Sequence, residues 1–181
     1  MSWTDMTLID FQASLASGAA TPGGGTASAI ALGQSAALVA MVAELTIGND
    51  KWRQGWEISK SAKIIANEIM LKSNDLADDD SRAFDQVMAA FKLPKSSDTE
   101  VAARRNSIRQ ATLLAAEIPY KTATLAIELL KQLLPLAEHC NANTISDVGV
   151  ATLLATAGCK GALFNVEINL NSLPLELGQD M

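Results

Sequence analysis

Apolar residues recur every three or four positions along most of this chain, which is the spacing of the buried face of an α-helix. Glycine, proline and short polar stretches separate the apolar segments. The first helix is predicted to begin at a Thr4 N-cap and to stop at Gly18, and the last to begin at a Ser146 N-cap. The pattern predicts about six to eight helices, over roughly 4–17, 26–47, 52–74, 80–93, 98–118 and 119–138, and from 146 onward.

The segment from Thr26 to Ile47 is apolar on every side and carries a single charge, Glu44. It has the length of a membrane span, but it is rich in Ala, Ser and Gly and holds Gln34 and Ser35 at its middle. We therefore expect a buried core helix and no membrane association. The predicted fold class is all-α, a single-domain multi-helix bundle over residues 1–181, built around this Ala-rich central helix.

Composition and charge narrow the classes of function. Apolar residues make up 49% of the 181 residues and aromatic residues only 4%, while 30 are alanine, a balance that favours helices over strands. The net charge is -6 without a Lys/Arg-rich run, so we expect no nucleic-acid partner. Cys140 and Cys159 are too few for a disulfide framework, and no secretory signal pattern opens the chain, so we expect a cytoplasmic protein.

The loop Thr21-Pro22-Gly23-Gly24-Gly25 directly precedes the central helix. Free backbone N–H groups at a helix N-terminus, with the positive end of the helix dipole behind them, suit a carboxylate, a phosphate or a polarised carbonyl. The loop matches neither a dinucleotide-binding fingerprint nor a P-loop. A flexible turn that permits tight helix packing explains the glycines equally well.

The acidic run Asp78-Asp79-Asp80 contains one residue that shares a face with apolar residues. At about 100° per residue, Asp80 points in nearly the same direction as Phe84 and Val87, whereas Asp78 and Asp79 point elsewhere. A carboxyl group on an apolar face is desolvated, which raises its pKa and suits it to general acid or base chemistry. The alternative is that the run only favours a helix N-terminus.

Asp147 and Asn165 are eighteen residues, about five turns, apart in the last helix and so lie on one side of it. Asn169 follows one turn later, and Gly158 and Gly161 make this face narrow. Side-chain amides in such a place could hold a heterocycle by paired hydrogen bonds. Helix packing over the glycines, with the asparagines capping a frayed end, is the alternative reading.

The remaining polar candidates are isolated. His139 lies beside Cys140 in a polar loop, and neither residue has the partners that a metal site or a nucleophilic triad needs. Lys95 follows a predicted helix end, where it is either a solvated charge or a contact for an anionic ligand.

Taken together, six segments resemble the cyclodeaminase/cyclohydrolase family of folate metabolism, in matching order and spacing over nearly the whole chain. This family includes the C-terminal domain of formiminotransferase-cyclodeaminase and free-standing methenyltetrahydrofolate cyclohydrolases. The segments are Thr21-Pro22-Gly23-Gly24-Gly25-Thr26, Leu45-Thr46-Ile47-Gly48, Asp80-Ser81-Arg82-Ala83-Phe84, Lys92-Leu93-Pro94-Lys95, Ile145-Ser146-Asp147-Val148-Gly149 and Asn165-Val166-Glu167-Ile168-Asn169-Leu170.

The resemblance implies a homodimer that acts without a metal or a permanently bound cofactor on the one-carbon unit bridging two nitrogens of tetrahydrofolate. It puts the catalytic aspartate at Asp80. It also implies a folate pocket lined by Gly23, Gly24, Gly25, Lys95, Asp147, Asn165 and Asn169. The family often has a basic run and a tyrosine where this chain has Asn49-Asp50-Lys51-Trp52, so a contact to an anionic tail there is expected to be weaker.

The activity expected from the resemblance is hydrolysis of 5,10-methenyltetrahydrofolate to 10-formyltetrahydrofolate. We favour it because 181 residues leave no room for a formiminotransferase domain. The second reading is a separate formimidoyltetrahydrofolate cyclodeaminase that releases ammonia. The third is a non-catalytic helical scaffold dimer, which would have no use for the acid at Asp80.

Overall fold

A computed structural model of the chain describes residues 2–174, and every regular element within that range is helical. The five α-helices are α1 (Leu8–Leu15), α2 (Gly24–Thr46), α3 (Trp56–Phe91), α4 (Asp98–His139) and α5 (Ile145–Leu170). Three short 3-10 segments, Trp3–Asp5, Asp50–Gly55 and Ala142–Thr144, join or precede them. The predicted all-α class is confirmed.

Helix α2 lies at the centre of the bundle and packs against α3, α4 and α5. Its core-facing residues are fully buried, among them Leu32, Val39 and Val42, whereas Met41 and Leu45 are exposed. The core continues into the facing sides of the three surrounding helices. Gly24–Thr46 and Ala142–Leu170 are both long and apolar enough to cross a bilayer by length and composition alone. Half of the apolar window of α2 is buried within the bundle.

Glycines in α5 set how closely this helix approaches α2. A Cβ at position 158 would lie 2.9 Å from the backbone oxygen of Ser28, and a Cβ at position 161 would overlap the Ser28 hydroxyl. Neither methyl group can be accommodated without a shift of α2 or of its side chains. This close contact aligns the C-terminal half of α5 with the N-terminal end of α2.

The predicted break at Asp78 to Asp80 is wrong, because α3 continues through it to Phe91. The segment contains no glycine or proline, and the three carboxylates find partners without ending the helix. Asp78 accepts a hydrogen bond from the backbone N–H of Trp3 at 2.9 Å, and Asp79 pairs with Arg82. The acidic run is therefore an internal part of a long helix.

The predicted boundary at Pro119 is also wrong, because α4 runs through both Pro119 and Pro135. A proline removes one backbone donor, so the carbonyl four residues earlier loses its partner within the helix. At Pro119 the released carbonyl is that of Ala115, and it accepts a hydrogen bond from Nδ2 of Asn169 at 2.9 Å. The proline thus provides an attachment point for a side chain of α5.

The predicted caps are displaced by two or three residues. Ser2 and Thr7 cap the first two helical segments in place of Thr4, and Thr144 precedes α5 in place of Ser146. Helix α4 begins with a reciprocal capping box between Ser97 and Glu100.

One face of α5 remains uncovered within the described chain. Leu153, Phe164 and Ile168 are 71%, 69% and 70% exposed, and Val150 lies on the same side. Ala157 stands at the middle of this face. We refer to these five residues as the α5 outer face.

We expect Gly158→Ala to destabilise the protein by about 1–3 kcal/mol, because the new methyl group pushes against backbone in the α2–α5 contact. Gly149→Ala is the matched control in the same helix, where a Cβ has nothing within 4 Å. The control should be neutral or more stable by up to about 1 kcal/mol, because alanine favours a helix. Urea unfolding of both variants measures the difference, and equal effects would contradict the proposed tight packing.

Candidate active site

A cavity of about 220 Å³ lies at the N-terminal end of α2, where α3, α4 and α5 converge. Six of the eight residues proposed from the sequence line it. The lining consists of Ala20, Thr21, Gly23, Gly24, Gly25, Asp80, Phe84, Ala115, Asn165 and Asn169. Wider grooves exist elsewhere on the surface, but this cavity combines a desolvated carboxyl group with a helix N-terminus.

The glycine loop lets the carboxyl group of Asp80 approach the backbone of α2. A Cβ at position 25 would overlap Oδ1 of Asp80, so no other residue type fits there while that side chain keeps its place. Gly23 is the N-cap and offers no capping side chain. No side chain at Gly23 therefore caps the first backbone N–H groups of α2. These N–H groups lie beside the cavity.

Asp80 is partly buried, and loss of hydration raises the pKa of its carboxyl group above the ordinary value. Hydrogen bonds from the side chain and the backbone of Thr26 act in the opposite direction and lower the pKa. Desolvation is the larger effect. A carboxyl group in this setting takes up and releases a proton nearer neutral pH than a solvated aspartate does.

A chain of hydrogen bonds leads from the N-terminal segment to Asp80. The hydroxyl of Thr26 donates to Oδ2 of Asp80 at 3.0 Å, and this uses its only proton. The hydroxyl of Ser81, 3.1 Å away, therefore donates to Thr26 and in turn accepts from Nε1 of Trp3 at 2.9 Å. Trp3, Ser81 and Thr26 thus each donate to the next group in a chain that ends at the Asp80 carboxylate.

Sequence reasoning missed the roles of Trp3, Thr26 and Ser81. Thr26 and Ser81 stand within the segments that carry the family resemblance, which is a signal, but nothing local shows that they meet. The contact between them spans 55 residues of sequence. Trp3 had no signal beyond being a polar-tipped aromatic residue near the first helix.

The two asparagines of α5 line the cavity, and their amide nitrogens bind backbone carbonyls. Nδ2 of Asn165 donates to the carbonyl of Gly161 at 2.8 Å. Nδ2 of Asn169 donates to the carbonyls of Ala115 and Asn165 at 2.9 and 2.8 Å. Both protons of Asn169 Nδ2 are thus engaged, whereas Asn165 Nδ2 keeps one proton to donate and lies 3.7 Å from where a Cβ on Gly24 would stand. Neither Oδ1 accepts a hydrogen bond within residues 2–174, so both can accept from a ligand.

Lys95 and Asp147 do not line this cavity. Lys95 is exposed beyond the end of α3, and Asp80 and Phe91 are already eleven residues, about 16 Å, apart along that helix. Asp147 lies in the first turn of α5, eighteen residues or about 27 Å from Asn165. The two residues share a side of the helix, as predicted, but sit near its opposite ends.

His139 is exposed at the opposite end of the bundle, where its Nδ1 lies 3.1 Å from the carbonyl of Pro135. Cys140 and Cys159 are free and buried. Within residues 2–174 no three His, Cys, Asp or Glu side chains are grouped as metal ligands.

The arrangement combines a carboxyl group with a raised pKa, a helix N-terminus and two side-chain amides around a small cavity. It can bind a nitrogen-containing ring through the amides and exchange a proton with a group next to Asp80.

Comparison with known proteins bears on the identity of this site. The formiminotransferase-cyclodeaminase family model matches residues 7–176. A methenyltetrahydrofolate cyclohydrolase from Methylorubrum extorquens is 40% identical over 167 residues, which cover 92% of this chain and 80% of that protein. A formimidoyltransferase-cyclodeaminase from Gallus gallus is 35% identical over 154 residues, but this chain spans only 28% of its length.

A solved structure has a fold similar to that of this chain. The crystal structure of a formiminotetrahydrofolate cyclodeaminase from Thermotoga maritima matches with a TM-score of 0.83 and 29% identity. The match covers 98% of this chain and 88% of the other. The resemblance seen in six short segments is thereby confirmed: the chain belongs to the formiminotransferase-cyclodeaminase family, whose members include cyclohydrolase and cyclodeaminase enzymes.

Proposed function

We propose that this protein hydrolyses 5,10-methenyltetrahydrofolate to 10-formyltetrahydrofolate, with Asp80 as the general base and acid. The observation that carries the proposal is the desolvated carboxyl group of Asp80 in a cavity at a helix N-terminus. The 40% identity to a cyclohydrolase along 80% of that protein favours hydrolysis over ring-closing deamination.

The proposed reaction begins when a water oxygen attacks the methenyl carbon, which carries the positive charge shared by N5 and N10. The carboxylate of Asp80 removes one proton from this water, giving a tetrahedral carbon with a hydroxyl group. Protonated Asp80 then gives its proton to N5, the bond between the carbon and N5 breaks, and the hydroxyl proton leaves to solvent. The carbon remains on N10 as a formyl group.

The site suits both halves of this reaction. Ionised Asp80 attracts the cationic substrate, and its raised pKa makes the protonated form accessible for the second step. The amide oxygens of Asn165 and Asn169 are suited to accept from the ring N–H and amino groups of the pterin. The buried Thr26 hydroxyl holds Asp80 in place.

Formimidoyltetrahydrofolate cyclodeamination is the second candidate, supported by the match to the Thermotoga maritima cyclodeaminase. In that reaction a folate nitrogen closes on the formimino carbon and ammonia leaves, so the same group can move the proton. Loss of methenyl absorbance against a buffer blank measures the first reaction, and ammonia release from 5-formiminotetrahydrofolate measures the second. Failure of both would favour a scaffold role.

We also propose that the protein is a homodimer, which pairs the α5 outer faces of two copies. The face is apolar, and exposed apolar patches of this kind mark contact surfaces. If the α5 helices of two copies run antiparallel with their Ala157 residues adjacent, Asp147 of each chain lies opposite residue 167 of the other. Asp147 would then lie beside the asparagines of the second chain, which would reconcile its implied role with its distance from Asn165.

The free, buried Cys140 and Cys159 support a place in a reducing compartment, and we propose the cytoplasm.

Asp80→Asn should fold and dimerise but lose turnover by at least about 100-fold, since the amide cannot exchange the proton. The control is Asp79→Asn, which removes only an exposed pair with Arg82 and should keep turnover within about twofold. Both are compared in the methenyl absorbance assay with spontaneous hydrolysis subtracted. Equal rates for wild type and Asp80→Asn would contradict the assigned role.

The variant Asp80→Asn should also be more stable than wild type at pH 8. Because the folded-state pKa of Asp80 is raised, the folded protein holds its proton more tightly than the unfolded chain does. Ionisation of Asp80 therefore lowers the folding stability of wild type. This loss is absent below the pKa of the aspartate in the unfolded chain, about 3.9, and grows as the pH rises to its pKa in the folded protein. The stability difference should therefore shrink toward pH 4.

Mixing two inactive variants tests the shared site. If Asp147 of one chain serves the cavity of the other, Asp80→Asn and Asp147→Asn dimers refolded together should recover about a quarter of wild-type activity. Half of the dimers are then mixed, and each mixed dimer has one intact site. Each variant refolded alone should stay inactive. Active Asp147→Asn dimers, or no recovery on mixing, would contradict a site built from two chains.

A further inference from the structure

The two carboxylate oxygens of Asp80 have different surroundings. Oδ2 accepts a hydrogen bond from the hydroxyl of Thr26 at 3.0 Å. No side chain within residues 2–174 donates to Oδ1, which is the atom closest to the position that a Cβ on Gly25 would occupy at the cavity wall. A proton can therefore bind to Oδ1 without disturbing Thr26, whereas a proton on Oδ2 requires the Thr26 hydroxyl to stop donating.

A pair of hydroxyl groups can pass a hydrogen bond in either direction, because each has one proton and two lone pairs. If a protonated Oδ2 of Asp80 donated to Thr26, the Thr26 hydroxyl would turn to Ser81, whose oxygen lies 3.1 Å away. Thr26 and Ser81 alone would thus allow the proton of Asp80 to lie on either oxygen.

Trp3 removes this freedom, because an indole N–H can donate but cannot accept. Nε1 of Trp3 donates to the oxygen of Ser81 at 2.9 Å, and the Ser81 hydroxyl has no hydrogen-bond partner besides Trp3 and Thr26 within residues 2–174. In the reversed direction Ser81 would accept from both neighbours, and its own proton would have no acceptor. Ser81 is only 5% exposed, so an unpaired hydroxyl proton there is costly.

Trp3 is held in place by contacts outside this chain of hydrogen bonds. Its backbone N–H donates to Oδ1 of Asp78 at 2.9 Å, and its ring meets that of Phe11 edge-to-face with 6.5 Å between the centroids. Neither Trp3 nor Ser81 lines the cavity. The indole is therefore a fixed donor that can act on the site only through other residues.

Few charges surround Asp80. The other residues that line the cavity, from the glycine loop and the four converging helices, are uncharged. On α3, Asp79 pairs with Arg82, and Asp78 binds the N-terminal segment, which brings one exposed charge of its own, Asp5. Asp80 forms no ion pair within the described chain. Hydrogen bonds, not ion pairs, therefore direct its proton.

We propose that Trp3 is a positioning residue for the reaction. Through Ser81 and Thr26, its N–H keeps the hydrogen bonds directed at Oδ2 and so leaves Oδ1 of Asp80 for the transferred proton. Oδ1 accepts this proton from the attacking water as the bond between the water oxygen and the carbon forms. It returns the proton to N5 as the bond between the carbon and N5 breaks. The inference rests on the proposed role of Asp80 as base and acid.

The substitution Trp3→Phe keeps an aromatic ring against Phe11 but removes the N–H. We expect kcat for 5,10-methenyltetrahydrofolate to fall by about 3–10-fold, the effect of one hydrogen bond, and KM to stay within about twofold because Trp3 does not line the cavity. Trp56→Phe is the matched control, since it removes an indole N–H that donates to the carbonyl of Asn49 at 3.2 Å near the other end of α3. At that distance it should keep kcat within about twofold. An equal loss of kcat in the two variants would overturn the proposal.

A double-mutant cycle shows whether Trp3 acts through Ser81. Ser81→Ala should lower kcat at least as much as Trp3→Phe does, and the double variant should lose no more than Ser81→Ala alone. Losses that multiply in the double variant would mean that the two residues act separately, which contradicts a connected chain.

Proton NMR of the Trp3 indole N–H tests the connection without turnover. The signal, assigned by its absence from Trp3→Phe, should shift as Asp80 titrates, with the same midpoint as the labelled Asp80 carboxyl carbon. The background is Asp78→Asn, which keeps an acceptor for the Trp3 backbone but removes the other carboxyl group near it. In Thr26→Val the Asp80 carboxyl should still titrate while the indole signal stays constant. An indole signal that titrates equally in Thr26→Val would report charge acting through space and would refute the hydrogen-bond chain.

The two proposals fail separately. An indole signal that follows Asp80 in a protein that turns over neither folate supports the hydrogen-bond chain, and only the proposed activity then fails. Turnover with an indole signal that is independent of Asp80 refutes the role of Trp3 and leaves the activity intact.

Discussion

The site depends on one close approach, that of the Asp80 carboxyl group to the first turn of α2. It is possible only because residue 25 has no Cβ, and it removes water from a group that would otherwise be solvated. Desolvation raises the pKa of Asp80, while Thr26 holds the carboxylate by hydrogen bonds. Desolvation and the Thr26 hydrogen bonds thus act in opposite directions on the pKa of Asp80, and desolvation is the larger effect.

The packing of the bundle maintains that approach from a distance. Gly158 and Gly161 bring the C-terminal half of α5 against α2, so that Asn165 reaches the cavity. Pro119 leaves the carbonyl of Ala115 without a helical partner, and the amide of Asn169 takes it. Glycine and proline, which weaken an isolated helix, therefore place the two asparagines at the cavity.

Helical periodicity was sufficient to identify the inward direction of Asp80 and the common side of the asparagines, because both are properties of a single helix. A shared side does not bring Asp147 to the cavity, because eighteen residues of helix place it about 27 Å from Asn165. It also predicted breaks at the acidic run and at Pro119, where contacts from elsewhere satisfy the groups that would favour an end. The link from Trp3 through Ser81 was invisible because it joins segments 78 residues apart.

The most direct test of this account is the pKa of Asp80 itself, followed by carbon-13 NMR of the labelled aspartate carboxyls, with Asp80→Asn to assign its signal. We predict a pKa above the ordinary aspartate value of about 3.9. In Thr26→Val, which lacks the hydroxyl donor, the pKa should rise further. A value at or below the ordinary one in wild type, unchanged by that substitution, would show a solvated carboxylate and contradict the assignment of Asp80 as the acid and base.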